Sequence, residues 1–199
     1  MMKIYRTQDK LLTRADDMNE GVWICLTSPT ENEVRQVATT LDIEPADLFA
    51  ATDPEESARI SLEDGYTLII VDIPVKVADA AEGVYTTIPL GILLTQQVIV
   101  TVCSADTPVL ADFAACRVRG FSTRKKMRFV YQLLYRAATM YQQELRLIDR
   151  RRMAIEKNLA GDLRDSDLME LHGLESTLVY FATSLRANAT VLDRLTRYK

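Results

Sequence analysis

The chain has 199 residues, 24 Lys+Arg against 28 Asp+Glu for a formal net charge of −4, and 48% hydrophobic residues, enough to bury a sizeable core and to exclude disorder as the main state. Seven Gly and six Pro leave no room for a low-complexity or collagen-like segment, and the length suits one domain or a domain with a large appendage. The longest uncharged run, residues 83–105, is interrupted by Pro89, Gly91, Gln96 and Gln97, so no spanning helix of ~20 apolar residues is expected; nor is export, because the N-terminus lacks the apolar core of a signal peptide.

Gly21 to Leu26 is rich in aromatic and β-branched residues and predicts a buried strand. Thr30 and Glu33 then form a T-x-x-E capping box, and Val34, Val37, Ala38 and Leu41 recur at helical spacing up to the break at Asp42 to Pro45. Pro45 starts a second short helix, Ala46 to Ala51, which Asp53-Pro54 ends because the residue before proline is pushed out of the helical region. Arg59 to Leu62 and Tyr66 to Ile73, separated by Asp64-Gly65, predict a hairpin whose second strand is apolar on both faces. Val84 to Leu94 and Val98 to Cys103, joined at Gln96-Gln97, predict another hairpin, and Pro108 to Cys116 a short amphipathic helix. The expected fold class is therefore α/β, a mixed sheet flanked by helices, over residues 1–118.

Residues 119–199 have a different rhythm. Met127, Tyr131, Leu134, Ala138, Tyr141, Leu145, Ile148, Arg152, Ile155 and Leu159 follow alternating steps of four and three, the seam of one long helix ended by Ala160-Gly161. After an acidic turn at Asp162 and Asp165, Asp167 with Glu170 predicts the cap of a second helix with the seam Leu171, Leu174, Leu178, Phe181, Leu185, Asn188, Leu192 and Leu195. Two matched seams predict a long antiparallel helical hairpin packed on the sheet and projecting from it. Tyr131, Tyr135 and Tyr141 are assigned to the seam or its flank. Charge divides as rhythm does: residues 1–116 carry 7 Lys+Arg and 19 Asp+Glu, the remainder 17 and 9.

Three cysteines without C-x-x-C spacing, Cys25, Cys103 and Cys116, read as reduced thiols, and the single histidine, His172, reads as a helix-surface residue. No G-x-G-x-x-G, Walker-type or G-x-S-x-G motif is present, and no catalytic residue is assigned. The basic runs Arg124 to Arg128 and Arg150 to Arg152 raise the alternative of a helical module with a nucleic-acid-binding face, but they lack interleaved aromatics, and complementarity with the acidic half is the simpler use.

The order of these elements, and several of their words, resemble the cytoplasmic domain of CorA-type divalent-cation transporters, a family that includes ZntB-like members. Trp23-Ile-Cys-Leu-Thr-Ser-Pro-Thr-Glu-Asn-Glu33 resembles the family's opening strand, Pro-Thr turn and helix start; Ala46-Asp47-Leu48-Phe49 stands where Glu-Asp-Ile-Leu is frequent; Tyr66-Thr-Leu-Ile-Ile70 resembles its central strand. The closest stretch is Leu90-Gly-Ile-Leu-Leu-Thr-Gln-Gln-Val-Ile-Val-Thr-Val102, similar to the family's paired strands. Family members continue into a stalk helix and two membrane segments with a Gly-Met-Asn motif, none of which occurs before Lys199.

The resemblance implies a regulatory, ion-sensing domain without the pore, a homopentamer in the full-length protein, and placement at the cytoplasmic face of the inner membrane, reached through segments beyond this sequence. It implies no nucleic-acid partner and no organic cofactor, but Mg²⁺ as regulatory ligand, with Co²⁺ or Zn²⁺ as alternatives; one histidine and no ligand-spaced cysteines favour a hard cation over zinc. Asp47 is the residue carried over as a metal ligand, and Ala46 lacks the family's frequent Glu. Asp53, Glu55 and Glu56, acids in the following loop, are further candidates because Mg²⁺ prefers carboxylate oxygens and retained water. A soluble α/β enzyme is the other alternative.

Overall fold

The computed structural model describes residues 1–9, 11–78, 80–158 and 165–197. Over these the chain runs β1 (Met2–Gln8), β2 (Leu11–Arg14), β3 (Val22–Thr27), α1 (Glu31–Leu41), α2 (Pro45–Ala50), β4 (Arg59–Leu62), β5 (Tyr66–Lys76), β6 (Tyr85–Thr95), β7 (Ile99–Cys103), α3 (Pro108–Ala114), α4 (Lys126–Asn158) and α5 (Asp165–Arg197). The strands form one mixed sheet in the order β2-β1-β3-β7-β6-β5-β4, in which only β3 and β7 are parallel.

The expected elements are present, and so is the capping box: Thr30 Oγ1 accepts the Glu33 N–H at 3.3 Å while Glu33 Oε2 accepts the Thr30 N–H at 2.8 Å. β1 and β2 were not expected. β2 is almost wholly exposed, and β1 buries only Ile4 and Tyr5, so neither carries an apolar alternation of its own; the ladder from Met2↔Leu26 to Arg6↔Val22 holds β1 in place.

Alternation sorts the strand residues onto two faces. Ile24, Leu26, Leu68, Ile70, Leu93, Val100 and Val102 pack under α1 and α2 with Val34, Val37 and Leu48. Trp23, Ile69, Val71, Ile92 and Ile99 form the other face with α3, α4 and the C-terminal part of α5. β3 is buried continuously from Val22 to Leu26 because both its faces are covered. Trp23, wholly buried, meets Phe129 edge-on at 5.1 Å and donates from Nε1 to Thr101 Oγ1 at 2.8 Å, which meets the indole's one polar need.

α4 and α5 are antiparallel, since Tyr141 meets Phe181 and Arg151 meets Glu170. Their buried lines differ from the expected seams. On α4, Met127, Tyr131 and Ala138 are exposed, and Phe129, Val130, Leu133, Ala137 and Met140 are buried in their stead; from Tyr141 onward the expected Ile148 and Ile155 are inside. The helix first faces the sheet and only later its partner helix, and that change of neighbour rotates the buried face. On α5 the inward line is Leu174, Thr177, Phe181, Ser184, Asn188, Val191 and Leu195, leaving Leu178, Leu185 and Leu192 exposed. The helix begins at Asp165, so Asp167 lies in its first turn and is not the cap. Leu159, Ala160, Gly161 and Asp162 lie outside the described residues.

The polar members of the α5 line have a structural use. β4 stops with Arg59 opposite Ile70, so the next outward-facing backbone groups on β5, those of Asp72, lack a strand partner. Asn188 supplies one: its Oδ1 accepts the Asp72 N–H and its Nδ2 donates to the Asp72 carbonyl, each at 2.8 Å. β7 ends with Cys103 opposite Leu90, and there Thr177 Oγ1 accepts the Tyr85 N–H at 2.9 Å and lies 3.2 Å from the Tyr85 carbonyl. Pro74 and Pro89 sit on the same unpaired stretches, where a missing N–H costs no ladder bond.

Candidate metal-binding site

Asp47 lies in the first turn of α2, which Pro45 opens; a carboxylate there is favoured by the unpaired N–H groups of the helix start. Two contacts seat this short helix on the sheet. Leu48 is fully buried, and Ala51 at the helix end packs on Gly91 of β6 so closely that a Cβ at 91 would stand 2.5 Å from the Ala51 Cβ.

The Asp47 carboxylate has two neighbours. The Tyr66 hydroxyl donates to Oδ2 at 2.6 Å and itself accepts the Glu44 N–H at 3.3 Å. The Arg59 guanidinium stands 3.9 Å from Oδ1. Burial, helped by the bond to the Asp47 carboxylate, pushes the Tyr66 hydroxyl up to about 12, so it is a donor throughout the neutral range. With 18% of its side chain exposed, Asp47 still reaches solvent.

The remaining sequence candidates do not converge on it. Glu56 is linked to Asp47 through Arg59, whose Nε donates to Glu56 Oε1 at 3.1 Å and whose Nη1 donates to Ser61 Oγ at 2.5 Å. Asp53 and Glu55 are exposed, and Asp53 Oδ1 accepts the Glu55 N–H at 2.9 Å, the local turn bond of an Asx residue. Among the described residues no group of three His, Cys, Asp or Glu side chains is placed to hold a metal ion. What one chain offers is therefore a single carboxylate with an arginine beside it. Such a group serves a hydrated hard cation only if water or another chain fills the other positions.

Tyr66 and Arg59 were not singled out by the sequence. The signal for Tyr66 was the alternation Tyr66, Leu68, Ile70, which puts the ring on the α2 face. Arg59 shows no such pattern, because its position depends on the β4–β5 register.

The other polar features have their own places. Cys25 and Cys103 are buried and Cys116 is exposed; burial pushes the Cys103 thiol up to about 11, which keeps it an unreactive thiol. His172 is exposed on α5. In the basic runs, Lys126 donates to the carbonyls of Thr95 at 2.6 Å and Gln96 at 2.5 Å. Arg151 pairs with Glu170 at 2.5 Å, and Arg152 pairs with Asp149 at 3.0 Å and with Glu156. The two runs lie roughly 35 Å apart along α4 at the helical rise, so they do not form one groove.

Comparison with known proteins gives the family. The profile described as "CorA-like Mg2+ transporter protein" matches residues 19–199. The cobalt/magnesium transport protein CorA of Methanocaldococcus jannaschii is 29% identical over 187 residues, covering 88% of this chain and 55% of that protein, so the chain spans about half the length of that relative. The solved soluble domain of CorA from the same organism superposes with a TM-score of 0.86 at 22% identity, covering 100% of this chain and 80% of that one. The ZntB cytoplasmic domain of Vibrio parahaemolyticus superposes at 0.72 with 12% identity, over 97% of this chain and 78% of the other. No described helix is long and apolar enough to cross a membrane. The chain belongs to the CorA-like Mg²⁺ transporter family, a family of transporters and not of enzymes, and it has the fold of that family's soluble domain.

Proposed function

We propose that this chain is the regulatory, ion-sensing part of a homopentameric divalent-cation transporter, placed at the cytoplasmic face of the inner membrane, with Mg²⁺ as its regulatory ligand. The observation that carries the reading is Asp47: a solvent-reaching carboxylate on a helix pinned to the sheet, in a chain matched over residues 19–199 by a family of Mg²⁺ transporters. A hydrated cation bridging Asp47 of one subunit to a carboxylate of the next would hold the subunits together. Loss of the ion would loosen them, and the equilibrium would move only as far as the two arrangements differ in affinity. Arg59 tunes this site: it competes for Oδ1, so an incoming divalent ion displaces its charge. Asp53, Glu55 and Glu56 form an acidic approach to the site.

The test is the thermal midpoint and sedimentation mass of the chain with EDTA, with millimolar Mg²⁺ or Co²⁺ and with micromolar Zn²⁺, for the parent, Asp47→Ala and Arg59→Gln. A Mg²⁺-dependent rise in midpoint or mass, abolished by Asp47→Ala and enhanced by Arg59→Gln, is expected, because a ligand of the assembled state stabilises it. A response to Zn²⁺ alone would move the reading to the zinc-handling branch. Indifference to every ion would remove the sensing role from this chain.

A further inference from the structure

Behind the first turn of α4, on the sheet face opposite α2, a cleft of about 570 Å³ is walled by four cations, Arg119, Arg124, Lys125 and Arg128, against one carboxylate, Asp9. None of the four makes an ion pair among the described residues; other surface cations such as Arg146 and Arg150 make none either, and what sets these four apart is that they line one cleft. In a chain of net charge −4, four cations around one cleft with a single carboxylate among its lining residues run against the overall balance.

The cleft is also held in shape. Thr123, wholly buried in the loop before α4, donates from Oγ1 to the Gly21 carbonyl at 2.6 Å, and its N–H and hydroxyl exchange 3.0 Å bonds with Thr7 of β1. Gln132 Nε2 donates to the Arg119 carbonyl at 3.1 Å, tying the loop to α4. Two glycines leave room for the cationic side chains. A Cβ at Gly120, φ +70°, would stand 2.6 Å from Arg128 Nη2, and one at Gly21, φ +78°, 3.2 Å from Arg124 Cγ. The floor is apolar: Leu12, Val118 and Phe121 line the cleft and rest on the core of that sheet face.

We propose that this cleft binds a small phosphate ester of nucleotide size, its phosphates held by Arg119, Arg124, Lys125 and Arg128 and its organic part on Leu12, Val118 and Phe121. Guanidinium forks match phosphate oxygens two at a time, and a volume within the ~300–1,000 Å³ of small-molecule sites with one apolar wall suits a ligand that is part anion and part ring. The shared chemistry is the phosphoryl group; the apolar floor favours a free ester over a lipid headgroup. The site is independent of Asp47, so the two readings fail separately.

The test is calorimetric titration of the chain, in buffer containing EDTA, with ADP, pyrophosphate and adenosine, and co-sedimentation with phosphatidylglycerol vesicles. Saturable 1:1 binding of ADP is expected, at least tenfold tighter than pyrophosphate or adenosine. The charge reversal Arg124→Glu/Arg128→Glu should weaken it at least tenfold. Arg146→Glu/Arg150→Glu, exposed cations further along α4 with the same change in net charge, should leave it within twofold. Arg119→Gln/Lys125→Gln, which keeps the loop and α4 intact, gives a milder loss in the same direction. The proposal is overturned by absence of saturable ADP binding, by adenosine or pyrophosphate binding as tightly as ADP, by equal losses in the two charge-reversed variants, or by vesicle binding in place of ADP binding.

Discussion

Asn188→Ala removes a carboxamide that stands in for a strand. In the parent, Asn188 makes two 2.8 Å bonds to the peptide groups of Asp72, and the Asp72 carbonyl also accepts the Tyr141 hydroxyl at 3.1 Å. Truncation leaves the Asp72 N–H without its partner on an edge that β4 no longer covers, while the carbonyl keeps Tyr141. An unsatisfied, half-buried N–H costs about 1–3 kcal/mol and the second lost bond about 1 kcal/mol, giving a loss of about 2–4 kcal/mol. Urea unfolding followed by circular dichroism should show a lower midpoint with an unchanged slope, and amide exchange at Asp72 should accelerate selectively. Tyr141→Phe alone should cost less, because Asn188 still holds that carbonyl, and the double variant should lose more than the sum. The reasoning is refuted if Asn188→Ala costs less than about 0.5 kcal/mol, the scale of an ordinary surface substitution, and the Asp72 amide stays protected.

Three further outcomes are expected. Gly91→Ala places a methyl 2.5 Å from the Ala51 Cβ, where neither atom can swing aside, and should cost about 1–3 kcal/mol by overpacking; Gly91→Ala/Ala51→Gly should recover most of it in thermal unfolding. Tyr66, pushed up to about 12 in the fold against about 10 when unfolded, binds its proton more tightly in the native state, so its contribution is complete below pH 10 and fades as pH rises from 10 to 12. Tyr66→Phe should therefore flatten the alkaline fall in stability over that window, and a curve identical to the parent's would refute it. Thr101→Val strands the buried indole N–H of Trp23, the chain's only tryptophan, at a cost of about 1–3 kcal/mol; a loss of midpoint with altered intrinsic fluorescence is the readout.

Local patterns were enough to read the middle of the fold. The Thr30–Glu33 box, the breaks at Asp53-Pro54 and Asp64-Gly65 and the apolar alternation of β5, β6 and β7 are each written within a few residues, so the elements between β3 and α3 follow from sequence alone. So does Asp47 as a residue worth testing, which the resemblance supplied. The N-terminal strands were not legible because β1 is stabilised by its ladder to Val22–Leu26, a partner some twenty residues away, and β2 by its pairing with β1. The buried faces of α4 and α5 depart from the local pattern for a related reason: hydropathy ranks Leu178, Leu185 and Leu192 above Thr177 and Ser184, yet Thr177 faces inward to bond the Tyr85 backbone and Ser184 to bond Thr87 Oγ1, while Asn188, which the expected seam included, meets the backbone of Asp72 beyond the end of β4. Likewise, the surroundings of Asp47 depend on the register that brings Arg59 beside Ile70 and on the close approach at Gly91 that seats α2. Short-range propensity and capping determined which elements form; long-range pairing, which no local window contains, decided which side chains those elements bury and which charges meet.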